Sequence, residues 1–144
     1  MHDLTENYPL VFSQDLIWSN MDAFQHINNA VYFRYFEDAR MKYFETTGVM
    51  EHMTETQIGP ILASTTCNFR APLTFPDRIH IAARIEEMKN RTFKMKYAIY
   101  SEKLDKLAAD GKGLVVFYDY QRKMSCEIPA VIVAAFEAFQ NQKS

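Results

Sequence analysis

The chain has 144 residues, of which 48% are hydrophobic and 24% charged, the profile of one globular domain and not of a disordered tail. A formal net charge of -2 and 2 cysteines exclude a general attraction to nucleic acid or to an anionic membrane, and also a disulfide-stapled scaffold. The longest apolar run, residues 130–136, is far short of the roughly 18 residues that a membrane-spanning helix needs.

Residues 1–10 carry Asp3, Glu6 and Pro9 and have neither a basic nor an apolar stretch of the kind found in secretory leaders. A cytoplasmic protein with free Cys67 and Cys126 is therefore expected, with no nucleic-acid partner and no membrane insertion. Leu10, Phe12, Leu16 and Trp18 share one parity and Ser13 and Asp15 the other, so residues 10–18 read as a strand. A polar turn follows at 19–29. The period then lengthens: Val31, Tyr32, Tyr35, Phe36, Ala39, Tyr43 and Phe44 make a broad apolar stripe. With Asn28 or Asn29 as cap and Gly48 as stop, this predicts a long helix over about 29–47.

Residues 49–59 read as an irregular connection with a short helical turn. Alternation predicts strands near 63–70, 79–86 and 93–100, a charged loop over 101–113 and a strand over 114–120. Pro129 opens a terminal helix that runs to about 139. The order implies an α+β fold, a curved antiparallel sheet wrapped around the long helix, in a single domain over residues 1–144. An open edge of such a sheet is suited to pairing with a second subunit.

Polar chemistry concentrates in Asp22-Ala23-Phe24-Gln25-His26-Ile27-Asn28-Asn29, between the first strand and the helix start. Unpaired N–H groups at a helix start can polarise a carbonyl, and Asp22 is the nearest carboxylate able to attack it or to activate water. Asp and Asn are also ordinary turn and cap residues. His26 reads as a general base, a spacer or a turn residue. Glu37 is a candidate for turning toward a pocket, whereas Asp38, beside Arg34 and Lys42, reads as solvated and Cys67 as a core residue. Gly-x-Ser-x-Gly and Gly-rich phosphate loops are lacking, and His2, His26, His52 and His80 are too dispersed to form a metal set, so no metal is expected.

The run Trp18–Arg40, with its Asp, a turn containing His and Asn-Asn, then Tyr and a helix bearing Glu and Arg, strongly resembles hotdog-fold acyl-CoA thioesterases of the 4-hydroxybenzoyl-CoA thioesterase-like group. Phe69-Arg70-Ala71-Pro72-Leu73 through Asp77, the stretch from Ala109 to Tyr120, and Lys123 through Pro129 extend the likeness over nearly the whole chain. The resemblance implies hydrolysis of an acyl-CoA to acid and CoA, with no cofactor beyond the CoA of the substrate. It also implies a homodimer or homotetramer with sites at the subunit boundary. By the same resemblance Asp22 matches the catalytic carboxylate, the Asn29 amide the oxyanion donor and Tyr32 a pocket aromatic, while His26 and Asn28 shape the turn. Phe36 and Glu37 are further acyl-side candidates, and Arg70, Arg91 and Lys123 are candidates for the CoA phosphates. Gln25 stands where many relatives have Gly, and Met21 where many have Thr. A dehydratase or hydratase on the same fold and a noncatalytic acyl-CoA-binding protein are the alternatives.

Overall fold

The computed structural model describes residues 2–142. Its centre is α2 (Asn29–Thr47), which starts where Asn28 Oδ1 accepts the N–H of Ala30 and ends on Gly48 in the left-handed region, φ 83°. Its buried residues include Tyr32, Tyr35, Phe36, Ala39, Tyr43 and Phe44, the stripe that the sequence sets at helical spacing. Around it curve β1 (Leu10–Asp15), β2 (Ile58–Phe69), β3 (Arg78–Met88), β4 (Thr92–Ser101), β5 (Lys106–Asp119) and the short β6 (Met124–Ser125). The sheet order is β1-β3-β4-β5-β2, with β6 beside β5, and every pairing is antiparallel.

Helix packing against the sheet depends on two glycines. A Cβ at Gly111 would come within 2.4 Å of the Phe36 ring, and one at Gly113 within 2.9 Å of the Tyr97 hydroxyl. Their absent side chains make room for Phe36 and Tyr97 to stack, 4.8 Å between centroids and 13° between planes. Phe36 is thus fully buried core, 0% exposed. Phe36→Ala is expected to cost about 3–5 kcal/mol through lost burial and the cavity left behind, read as a lower midpoint in urea.

α4 (Ala130–Asn141) closes the open end of α2, where Tyr43 meets Phe136 and Phe139 edge-on. α3 (Val49–Thr56) leads from α2 into β2. On the opposite face of the sheet, residues following α1 (His2–Asn7) and α1 itself supply Tyr8 and Leu4, which cover Ala82 and Ala98 in a small second core.

Several boundaries differ from the sequence reading. The first strand ends at Asp15; the Leu16 N–H still donates to the Asp77 carbonyl in the register of β1 against β3, and the chain then turns at Trp18, which opens a 3-10 turn and is 67% exposed. The segment 49–56 is a regular helix. The strand expected from 63 begins at Ile58, and the expected loop 101–113 is mostly strand, since β5 begins at Lys106. That last difference has a packing cause. The buried positions in the first half of β5 are Ala108, Ala109, Gly111 and Gly113, and the Phe36 and Tyr97 rings take the space at the two glycines, so this half shows no large apolar alternation.

Candidate active site

Asp22 opens a tight turn that the main chain closes on itself. The Asp22 N–H donates to the His26 carbonyl, and the Gln25 N–H donates to the Asp22 carbonyl, each at 2.9 Å. The turn is anchored from both sides: Met21 and Ile27 form a bridge, the Ile27 N–H donates to the Leu73 carbonyl, and the Asn28 N–H donates to the Asn20 carbonyl. Within it, Asp22 Oδ1 accepts the Phe24 N–H at 2.9 Å. One carboxylate oxygen is thereby fixed and the group is oriented.

Gln25 sits at φ 63°, the left-handed region that disfavours a Cβ. Gln25→Gly removes that strain at the cost of a freer unfolded chain, so the variant is expected to be neutral or up to about 1 kcal/mol more stable. Thermal melting compared with the parent protein checks this.

The other half of the site is the start of α2. Asn28 Oδ1 takes the N–H of Ala30, and the Asn28 carbonyl takes that of Val31. Among the described residues, the Asn29 N–H has no such partner, as the first N–H of a helix ordinarily does not. This donor lies at the positive end of the helix dipole.

Asp22, His26, Asn28, Asn29 and Tyr32 line one open cleft of about 560 Å³ together with Phe24, Phe69, Arg70 and Pro72. Tyr32 is 2% exposed; its hydroxyl accepts the Leu73 N–H at 3.3 Å, and Phe69 packs edge-on against its ring at 5.0 Å. Burial raises the Tyr32 hydroxyl above its ordinary pKa, so it remains protonated at neutral pH. Arg70 is half exposed and paired with Asp110. Partial burial works to raise the Asp110 carboxyl, but hydrogen bonds from Arg70 and Asn68 outweigh it and hold the group below the usual carboxylate range.

The remaining sequence candidates fall elsewhere. Phe36 lies beneath the surface in the core, and Glu37 lines a separate groove with Phe33, Arg34, Arg40, Leu62 and Thr65. Arg91 bonds the Ser125 carbonyl beyond β3, and Lys123 lies in the turn between β5 and β6, both at the Ile58 end of β2 and not at its Phe69 end. Asp38 is half-buried, and burial raises its carboxyl, with Glu37 adding to the rise and Arg34 and Lys42 opposing it. Cys67 is partly buried against the core.

Phe24, Phe69 and Pro72 line the cleft beyond the residues that the sequence marks as candidates. For Phe69 and Pro72 the signal lay in the strand-end motif Phe69-Arg70-Ala71-Pro72, and for Phe24 in its place between Asp22 and His26. Among the described residues no group of three or more His, Cys, Asp or Glu is arranged to hold a metal, and no helix is long and apolar enough to cross a membrane.

A curved antiparallel sheet around one long helix, with a carboxylate facing a helix start, defines a hotdog-fold thioesterase. The chain belongs to the Thioesterase-like superfamily, whose family description matches residues 16–136. Its activity is thioester hydrolysis. It is 26% identical over 98 residues to the long-chain acyl-CoA thioesterase FadM of Escherichia coli, covering 68% of this chain and 73% of that one. A Pseudomonas aeruginosa crystal structure superposes with a TM-score of 0.81 at 25% identity, covering 94% of both chains. A Thermus thermophilus thioesterase solved with coenzyme A and Zn superposes at 0.83 with 20% identity, covering 94% of this chain and 97% of the other, a likeness of fold.

Proposed function

We propose that the chain hydrolyses acyl-CoA thioesters at the Asp22 cleft. The observation that carries this reading is the oriented Asp22 carboxylate sharing one cleft with the uncapped N–H of Asn29. The thioester carbonyl oxygen accepts that N–H, which stabilises the oxyanion formed when the carbonyl is attacked. Asp22 takes a proton from water as the hydroxyl adds to the carbonyl carbon; collapse of the tetrahedral adduct breaks the C–S bond and releases the acid and the CoA thiol. In the covalent variant of this route, Asp22 itself adds, CoA leaves, and water cleaves the mixed anhydride. Similarity to the long-chain acyl-CoA thioesterase of Escherichia coli supports CoA esters as the substrate class.

The working unit in this reading is a homodimer, or a dimer of dimers, in the cytoplasm. β2 is a sheet edge of 12 residues whose side chains are mostly exposed, including Ile61 and Leu62. Two copies pairing antiparallel along it remove the open edge. Such pairing sets the Ile58 end of one strand beside the Phe69 end of the other. Arg91 and Lys123 of one copy then approach the partner's cleft, where with Arg70 they meet the CoA phosphates. Tyr32 and Asn28 border the acyl side, and His26 shapes the cleft wall.

A panel of acyl-CoA esters differing in chain length and aromaticity, followed by free-thiol release, tests the reading. Thiol release with saturation supports it. Hydration of an unsaturated acyl-CoA without thiol release would replace it with the dehydratase chemistry, and binding without turnover would leave only a binding protein.

A further inference from the structure

Arg40 is the one buried charged side chain among the described residues, 6% exposed. Among the described residues its guanidinium makes one hydrogen bond, from Nη1 to the Tyr97 hydroxyl at 3.1 Å, and no ion pair. A guanidinium has five donors and stays charged at any physiological pH. Its other N–H groups are not among the buried, unpartnered polar atoms, so they face the open groove with one neutral acceptor behind them. Tyr97, which accepts this bond, is fully buried in the stack with Phe36.

Arg40 opens on one side into the groove between α2 and β2, which Phe33, Arg34, Glu37, Leu62 and Thr65 also line. Glu37 lies one turn before Arg40, is exposed, and makes no ion pair among the described residues. Position along β2 matters here. The strand runs Ile58–Phe69, with an irregularity in register between Leu62 and Ser64. Leu62 and Thr65 therefore flank its middle, each within roughly 5 Å of it at the usual rise per residue. When two copies pair antiparallel along this edge in register about its middle, the two-fold axis passes beside these residues. The groove of one copy then faces the same groove of the other, and residue i of one meets residue j of its partner while j meets i.

We propose that this groove is closed by a second copy of the chain and that Glu37 of each copy neutralises Arg40 of the other. The pair of reciprocal contacts places a carboxylate on the open side of the Arg40 guanidinium and gives the exposed Glu37 a use. It also fixes the register of the two β2 strands, since a slip of one residue reverses which side chains face the groove. The inference rests on the dimer described above and adds to it a named ionic contact.

Sedimentation of the full chain over a range of concentrations tests it, with parent, Glu37→Gln and Glu37→Arg compared. Glu37 is exposed in the protomer, so its replacement leaves the fold intact, checked by circular dichroism. Glu37→Gln is expected to weaken dimerisation at least tenfold, and Glu37→Arg, which sets cation against cation, to weaken it about a hundredfold or more. Mixing Glu37→Arg with Arg40→Glu is expected to restore association as a heterodimer, provided the second variant shows native dichroism. If the parent dimerises and both Glu37 variants dimerise equally well, the ion pair is overturned while the dimer stands. If the parent is monomeric at every concentration, the dimer and the ion pair both fall, and thiol release by the parent reports independently on the hydrolase reading.

Discussion

Asp22→Asn is expected to lower kcat/KM for the best acyl-CoA substrate by about 10²–10⁴-fold, the usual contribution of a positioned general base. The substitution is nearly isosteric. The amide oxygen of asparagine can keep the Phe24 N–H that Asp22 Oδ1 accepts, so the turn holds its shape. What is lost is the anionic oxygen. A neutral amide neither takes a proton from water nor adds to a thioester, so the loss is expected on either chemical route. Thermal melting within a degree or two of the parent, alongside the drop in thiol release, assigns the effect to chemistry and not to folding. An unchanged rate would remove Asp22 from the mechanism. Label in the Asp22 carboxylate after a single turnover in ¹⁸O water would identify the covalent route, with water adding at the Asp22 carbonyl of the anhydride.

Asn29→Pro is expected to reduce kcat by about 10²–10³-fold, the scale of losing one oxyanion donor. Proline is well tolerated at the first position of a helix, where the missing N–H has no helical partner in any case. The preceding residue already satisfies it: Asn28 has φ -59° and ψ 138°, the extended geometry that a following proline favours. The cap is also spared, because Asn28 bonds the N–H groups of Ala30 and Val31 and not that of residue 29. The substitution thus replaces one hydrogen-bond donor by a methylene in an otherwise preserved helix start. Asn29→Ala, which keeps the N–H, is the control and should retain activity close to the parent. Equal activity of the Pro and Ala variants would show that the oxyanion is held elsewhere.

The sequence carried the long helix well because its signals agreed: a stripe at helical spacing, an Asn cap and a Gly stop at residues 28 and 48. The Asp22–Asn29 half of the cleft was also readable, because these residues are contiguous and their turn is built from local hydrogen bonds. The opposite wall was not readable from spacing. Phe69 and Pro72 reach the cleft only because β2 pairs with β5 and the following chain crosses beneath α2, where the Leu73 carbonyl meets the Ile27 N–H. Arg40 shows the same limit. Its place on α2 was visible, but its burial depends on Tyr97, 57 residues away in sequence. The first half of β5 looked like loop for a related reason, since small residues that make room for a neighbour's rings give no alternation to detect. The helix at His2–Asn7 leaves no periodic signal because it is too short for a period to develop.

Gly113 gives the sheet a role as a lever. A methyl group there would press first on the Tyr97 hydroxyl, at 2.9 Å, and next on Leu62, at 3.4 Å. Those two groups respectively hold the Arg40 guanidinium and line the groove beside it. One added carbon in the interior of a strand would therefore be transmitted to the groove that the proposed dimer closes, without altering any residue lining that groove. Tuning assembly from inside the protomer in this way offers a route to changing subunit affinity while the Asp22 cleft keeps its composition.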